Sequence, residues 1–350
     1  MSIRVGELVS QLRNKSRVVN VKAGRVSLVV GDAENPTFLR VGDEQFAWGD
    51  RNTQMVAAFL KGPGYKYLLN QDLSWQAQVV KHHVDLIADA DTVWYIEGNS
   101  IAGIYYPETK IIPLVDVAER IANVFDMDDL ATVLYAPDQV EINVLSNLRT
   151  VTVPGIPGVE SRPVDGSLER YGIQVGDISA GGIRIVMHPS KPERAPEVDE
   201  LWERWVCTNG MTRKTPGSQI KLRGRTVPEI LNEIENVART IFNGLGNSAQ
   251  NILHSAETPI PGATSDFIRQ VARERNINSD TILRLQERGA ELPPNPSVYD
   301  VTQIITAMAN QENVAALTRR NLQAIGGDLT IDTERMVHRC AQCERPLVAA

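Results

Sequence analysis

The sequence has 350 residues, 42% of them hydrophobic, and predicts two lobes because a single hydrophobic core stops growing near about 250–300 residues. Its formal net charge of −7 makes the surface as a whole repel polyanions, which disfavours a simple DNA-coating protein. Its apolar runs fall far short of the roughly 20 residues of a membrane span and its first residues lack a secretory signal, so we expect a cytoplasmic protein without membrane contact.

Up to about Gly210, short runs rich in valine, isoleucine and aromatic residues alternate with clusters of Gly, Pro, Asn and Asp. This pattern is typical of strands and tight connections. The stretch Ser16–Asp32 predicts two strands joined in a hairpin at Ala23-Gly24. Other runs predict strands at 129–137, 139–146 and 181–188, and helices at 51–61 and 114–126. Residues 1–225 are therefore predicted to form a mixed, strand-rich lobe.

The interval 147–172 is dense in glycine and proline, which excludes a continuous helix. It is interpreted as a long connection inside the first lobe, most simply a surface loop. A β-arm and a mobile loop are the alternatives for this interval.

After Arg225 the apolar residues take helical spacing. Thr226 and Glu229 fit a capping box, Pro228 lies in the first turn, and the apolar stripe ends near Gly244. Further helices are predicted at 264–275, at 278–289 with Ser279 as cap and Gly289 as end, and within 296–327 with Ser297 as cap and Gly326-Gly327 as end. The predicted fold class is therefore α+β, with a strand-rich N-terminal lobe, a helical lobe at 226–330 and a short cysteine-containing tail at 331–350.

One basic site stands out against the acidic average, because no acidic residue occurs between Cys207 and Pro228. Single-stranded nucleic acid is bound by cations on its phosphates and by aromatic rings on which its bases stack. An exposed loop without this role is the alternative for the tyrosines at Leu60–Leu68. The predicted nucleic-acid-binding residues are Arg213, Lys214, Lys221, Arg223, Arg225, Tyr65 and Tyr67.

The segment Arg204–Lys214 carries a cysteine, a turn and basic residues after an apolar run. Its alternation indicates a strand with Cys207 in the core, Asn209-Gly210 as the turn, and Arg213-Lys214 as the start of a displayed basic loop. The alternative for Cys207 is a thiolate nucleophile, which needs a base such as His188. No complete catalytic set is present in the sequence, and we expect no enzymatic activity.

The tail contains His338, Cys340 and Cys343, a C-x-x-C pair with a histidine upstream. Two thiolates at this spacing can share one zinc ion, but a closed structural site needs four ligands. Cys207 or a second subunit would supply the fourth ligand, and a free or redox-active thiol pair is the alternative. Three cysteines do not make a disulfide framework, which fits a reducing compartment.

Two stretches of the second half resemble a known family. Tyr171–His188, followed by "WVCTNGM" at Trp205–Met211, resembles the hallmark region of the phage/plasmid-like family known as domain of unknown function number nine hundred and thirty-two. "SVYDVTQIITAMAN" at Ser297–Asn310 is similar to a later helix of that family, without its aromatic core at Thr302–Thr306. The resemblance covers residues 170–325 and implies a bacteriophage or plasmid origin, hence a host-cell cytoplasm, and no particular reaction.

Two functional hypotheses follow. The first is an accessory protein that binds single-stranded nucleic acid through the basic loop, as a homo-oligomer. The second is a structural or interaction protein that self-assembles, or binds a virion or host protein, through its Gly/Pro-rich arm and acidic surface.

Overall fold

A computed structural model describes the chain in two compact units that interleave along the sequence. The first unit takes its described residues from Met1–Ile142, Ile185–Glu197 and Gln219–Asn236, and the second from Asn143–Arg184, Val198–Ser218 and Val237–Ala350. The expected division at Arg225 follows the change in element type and not the boundary of these units. The described residues are 2–337 without 33–34, 63, 136–138, 154–176, 190, 205–209, 214–219, 221, 223–224 and 312–313.

The first unit contains most of the short strands. Its helices are α1 (Val5–Lys15), α2 (Asp50–Leu60), α3 (Tyr65–Leu69), α4 (Leu73–Asp85) and α5 (Leu114–Ala122). Its strands are β1 (Ile3–Arg4), β2 (Ser16–Lys22), β3 (Val26–Val29), β4 (Phe38–Val41), β5 (Glu44–Ala47), β6 (Asp91–Glu97), β7 (Ser100–Tyr105) and β8 (Leu130–Tyr135).

Two three-stranded antiparallel sheets, β2-β6-β7 and β3-β4-β5, provide the core of the first unit. Helix α2 packs on β7 and helix α4 packs on β3. Leu39, Phe46, Trp94 and Ile101 are almost fully buried between these elements. Burial of side chains of this size contributes about 1.5–3 kcal/mol each, so this cluster stabilises the unit.

The predicted hairpin at Ala23-Gly24 is wrong, although both of its strands exist. Strand β2 pairs with β6 and strand β3 pairs with β4, in different sheets. The connection is a turn of 3₁₀-helix whose N–H groups, on Ala23 and Gly24, donate to the carbonyls of Ala90 and Ala88. These hydrogen bonds to a distant segment satisfy the backbone, so turn chemistry alone did not decide the pairing.

The second unit contains the helical C-terminal region. Its helices are α6 (Val227–Glu257), whose first residues belong to the first unit, α7 (Thr264–Glu274), α8 (Ser279–Gly289), α9 (Val298–Ala309) and α10 (Ala316–Ile331). Four consecutive strands of one sheet contribute to it, namely β9 (Val140–Val153), β10 (Asp177–Met187), β11 (Glu197–Arg204) and β12 (Gly210–Arg213), whose residues 140–142, 185–187 and 197 belong to the first unit. The strand-rich N-terminal and helical C-terminal regions confirm the predicted α+β class.

Helix α9 is the centre of the helical core. Nearly all of its side chains are buried, and it packs on both α8 and α10. Tyr299, Val301 and Ile304 have no exposed surface. A helix that is buried on all sides is typical of the middle of a large core.

The predicted connection 147–172 starts too early in the sequence. Strand β9 continues through this point to Val153, with Val151 and Val153 buried in alternation with exposed residues. The buried valines stabilise the strand beyond the point where turn-type residues begin. Residues 154–172 lie outside the described residues.

Two predicted helix ends are also wrong. Helix α6 passes Gly244 and reaches Glu257, and helix α10 passes Gly326-Gly327 and reaches Ile331. A glycine inside a helix costs about 1 kcal/mol. Burial of Leu245 and Ile252 in α6, both without exposed surface, exceeds this cost.

The cap of helix α8 is Asn278 and not the predicted Ser279, because the side chain of Asn278 accepts a hydrogen bond from the N–H of Thr281. We expect Asn278→Ala to lower the free energy of unfolding by about 1 kcal/mol, since an N–H at the helix start loses its acceptor. Ser279→Ala is the matched control and should change it by less than about 0.5 kcal/mol. Urea titration followed by circular dichroism measures both, and equal effects would contradict this assignment.

Candidate nucleic-acid interface

The structure describes four of the seven predicted nucleic-acid-binding residues, namely Tyr65, Tyr67, Arg213 and Arg225. Tyr65 and Arg213 are placed in α3 and β12, without a description of their side chains. Arg213 belongs to a strand and not to the displayed loop expected for it, because the pairing of β11 with β12 extends to Glu200 opposite Arg213. The other three, Lys214, Lys221 and Arg223, lie outside the described residues. The same holds for Cys207 and Asn209 of the predicted strand and turn, and for the predicted zinc ligands His338, Cys340 and Cys343.

Among the cations of the basic segment, Arg225 is the one whose side-chain contacts the structure describes. Its guanidinium forms an ion pair with the carboxylate of Glu233, in the second turn of α6. Its carbonyl accepts a hydrogen bond of 2.8 Å from Nζ of Lys110, in the first unit. Because Glu233 offsets the charge of Arg225, this arginine alone makes a weaker phosphate ligand than the sequence predicts.

Tyr67 is the predicted aromatic residue whose surroundings are described. It lies in α3 with 57% of its surface exposed. Its ring meets the ring of Trp75 edge to face, with 5.8 Å between centroids and 83° between planes. The sequence analysis missed Trp75. This residue lies in the first turn of α4, where its backbone N–H donates a hydrogen bond of 2.8 Å to the side chain of Asp72. An aspartate that begins a helix three residues before a tryptophan is the sequence signal that could have placed Trp75 in the first turn of α4.

Two exposed lysines accompany this aromatic pair. Lys66 precedes Tyr67 in α3, and Lys61 is the C-cap of α2, on which α3 packs. Within the part of the chain that the structure describes, neither lysine has a carboxylate at ion-pair distance. We call Lys61, Lys66, Tyr67 and Trp75 the aromatic–lysine surface. It combines a stacking ring with free positive charges, which are the two components of a single-strand site.

Arg225 and Tyr67 have separate surroundings in the first unit. The contacts of Arg225 are with Lys110 and Glu233, whereas those of Tyr67 are with Trp75. The structure therefore does not join the two parts of the predicted site through a shared contact among the described residues.

A cleft of about 500 Å³ lies beside Lys110 in the first unit. Its walls come from three segments that are far apart in sequence, so no local motif could have indicated it. The described residues that line it are Thr109, Lys110, Ile112, Pro192, Glu193, Leu222 and Ile230.

Hydrogen bonds hold the three segments of the cleft in place. The hydroxyl of Tyr105 donates to the carbonyl of Pro189 at 2.7 Å, and the N–H of Ile220 donates to the carbonyl of Pro196 at 3.0 Å. Burial raises the pKa of Tyr105 above its ordinary value, so this phenol stays protonated as a donor. At the start of α6, the carboxylate of Glu229 accepts hydrogen bonds from the N–H and hydroxyl of Thr226.

The carboxylate of Glu229 is stabilised in its ionised form. The pKa of Glu229 lies below its ordinary value, first because the N–H and hydroxyl of Thr226 donate to it, and further because Arg225 and Lys110 are nearby cations. Glu229 therefore offsets part of the positive charge of Arg225 and Lys110.

In two further polar clusters the charged side chains are paired with one another. In the first unit, the guanidinium of Arg51 lies 3.9 Å from the ring centre of Tyr135 and 3.4 Å from the carboxylate of Glu97. In the second unit, Arg184 and Asp199 form a buried ion pair at 3.0 Å. Among the described residues, no group of three or more His, Cys, Asp or Glu side chains is arranged to hold a metal ion. The predicted zinc ligands lie beyond these residues, so zinc binding stays a prediction.

Comparisons with protein-family models, with curated proteins and with solved structures gave no match to this chain. The resemblance to the phage/plasmid-like family therefore stays a prediction. None of the described helices is both long and apolar enough to span a bilayer.

Proposed function

We propose that the protein binds nucleic acid, preferentially single strands, without catalysing a reaction. One observation carries this proposal, namely the exposed ring of Tyr67 packed edge to face against Trp75, in a segment whose exposed Lys61 and Lys66 form no ion pair among the described residues. Every base has a π-face, so stacking on an exposed ring does not require a particular sequence. Unstacked bases are accessible in single strands, whereas a duplex keeps them in its interior.

The charge distribution supports a local site. The net charge of −7 repels a polyanion from the surface as a whole, whereas free cations such as Lys61 and Lys66 attract phosphates within about 8–10 Å at physiological salt. Arg213, Lys214, Lys221, Arg223 and Arg225 add a second positive segment in the sequence. Binding of this kind weakens as salt rises, because each neutralised phosphate releases counterions.

The biological setting is part of the proposal. The resemblance to the phage/plasmid-like family supports an accessory protein of a bacteriophage or plasmid in the host cytoplasm, acting as a homo-oligomer. The zinc site of His338, Cys340 and Cys343, completed by a fourth ligand, would stabilise the tail of such a protein. The alternative function is a structural protein that self-assembles or binds a virion or host protein.

Tyr67→Ala tests the proposal most sharply on the described surface. We expect its affinity for a fluorescent single-stranded oligonucleotide to fall about tenfold, since stacking on an aromatic ring contributes about 1–3 kcal/mol per base. Tyr67→Phe should retain the affinity of the wild type, because it keeps the ring. Fluorescence anisotropy measures all three proteins, and unchanged affinity in Tyr67→Ala would remove the observation that carries the proposal.

Lys66→Gln provides the electrostatic half of the same test. The affinity of this variant for the oligonucleotide should depend less on salt than that of the wild type. The slope of log K against log salt should be shallower by about 0.7, which corresponds to one lost phosphate contact. Lys15→Gln, at an exposed lysine of α1, is the matched control and should keep the full slope.

A further inference from the structure

We propose that the cleft beside Lys110 binds a small ligand with an aliphatic body and one anionic group, such as a medium-chain carboxylate. This site is distinct from the aromatic–lysine surface, and the inference goes beyond the proposed nucleic-acid binding. A volume of about 500 Å³ lies within the about 300–1,000 Å³ of most small-molecule pockets.

The walls of the cleft set the character of the ligand body. Ile112, Pro192, Leu222 and Ile230 are the apolar residues of the lining, and none of the described residues that line it is aromatic. Planar rings are held best by offset stacking or edge contacts with other rings. Aliphatic walls instead suit a flexible hydrocarbon chain, because burial of its CH₂ groups is favourable and needs no particular orientation.

Lys110 sets the charge of the ligand head. Its Nζ donates to the carbonyl of Arg225, a neutral acceptor, and within the described part of the chain it has no carboxylate at ion-pair distance. The ammonium group has three N–H donors, so two stay available for a ligand. A carboxylate head would form charge-assisted hydrogen bonds with them, which are about twice as strong as neutral ones.

The other charges around the cleft largely compensate one another. Arg225 is paired with Glu233, and Arg194 lies 3.9 Å from Glu197. Glu193 is the exposed acid of the lining, and Glu229 is close enough to Lys110 for their charges to interact, but neither carboxylate is at ion-pair distance from Lys110. Lys110 is the cation of the described lining, and its two remaining donors favour an anionic head.

Isothermal titration of the wild-type protein with sodium octanoate, below the concentration at which octanoate forms micelles, tests this inference. We expect saturable binding of octanoate, with octan-1-ol at least about tenfold weaker because it shares the aliphatic body but lacks the charge. Adenosine monophosphate, an anion with a planar body, should bind more weakly than octanoate. No binding of octanoate, or tighter binding of either comparison compound, would overturn the inference.

Two variants locate the binding in the cleft. Lys110→Gln should weaken octanoate about tenfold and leave octan-1-ol unchanged, since it removes the charge and keeps a donor for the carbonyl of Arg225. Thr109→Trp should block both compounds by filling the cleft, and circular dichroism confirms that each variant is folded. Lys191→Gln, at an exposed lysine outside the lining, is the control and should bind octanoate as the wild type does.

Octanoate binding that is unaffected by both Lys110→Gln and Thr109→Trp would place it elsewhere and overturn the inference. Oligonucleotide binding by Tyr67→Ala tests the proposed nucleic-acid binding alone, so failure of either proposal leaves the other standing.

Discussion

Asp199→Ala should lower the free energy of unfolding by about 3–5 kcal/mol, because it leaves the guanidinium of Arg184 buried without its counter-ion. The side chains of Arg184 and Asp199 are 5% and 1% exposed, and the atoms Nη2 and Oδ2 are 3.0 Å apart. Gln323 accepts a further hydrogen bond of 3.0 Å from Nη1 of Arg184, but its amide is neutral and does not balance the charge. Urea titration followed by circular dichroism measures the loss.

The exposed pair Lys81–Asp85 is the control for this effect. Its side chains are 75% and 58% exposed and lie four residues apart on α4, so Asp85→Ala should cost about 0.5 kcal/mol or less. The double variant Arg184→Met with Asp199→Leu should recover most of the stability, because apolar residues of similar size avoid burying an unpaired charge. Equal costs of Asp199→Ala and Asp85→Ala would show that the buried pair is not a structural requirement.

Gly182→Ala should destabilise the second unit by about 3 kcal/mol or more, as overpacking in a sheet forces the backbone to move. A Cβ atom on Gly182 would lie 1.8 Å from the carbonyl oxygen of Val144 in the neighbouring strand. The contact is with backbone, so a side-chain rotation cannot relieve it. The midpoint of thermal unfolding, measured by circular dichroism, should fall by many degrees or the variant should fail to fold.

Gly246→Ala is the matched glycine variant with the opposite expected sign. It lies inside α6, and apart from its chain neighbours and the adjacent backbone of the helix no atom lies within 4 Å of the Cβ that alanine would add. Alanine is favoured over glycine in a helix by about 1 kcal/mol, so this variant should be more stable than the wild type. If Gly182→Ala were as stable as Gly246→Ala, the close approach of β9 and β10 would be contradicted.

The periodicity of apolar residues predicted the type of most elements correctly. Helices α2, α5, α7 and α9 lie where their stripes of apolar residues place them, and the Ser297 cap of α9 forms the predicted hydrogen bonds. These features depend on residues three or four positions apart, which a single sequence displays directly.

Features that depend on distant contacts were not predictable in the same way. The pairing of β2 with β6 joins Val18 to Tyr95, and the turn at Gly24 is held by Ala88, far along the chain. Helix α6 continues past Gly244 because Leu245 is buried by residues that local sequence does not identify. In each case tertiary packing outweighs the local signal of a glycine.

The candidate sites show the same limit. Composition singled out Tyr67 beside Lys66, and the structure leaves this ring exposed next to a tryptophan. The charge of Arg225 was also evident, but its compensation by Glu233 depends on the conformation at the start of α6. The cleft beside Lys110 joins three separate segments, so its existence could not be inferred from any one of them.

The central claim is that this acidic protein binds single-stranded nucleic acid at a local site. The most direct measurement is fluorescence anisotropy of a labelled single-stranded oligonucleotide across a salt series, with the mass of the complex determined by light scattering in the same samples. We predict binding at low salt that weakens linearly in log K against log salt, on an oligomer of the protein. An oligomer that binds neither DNA nor RNA at low salt would contradict the claim and favour a structural or partner-binding protein.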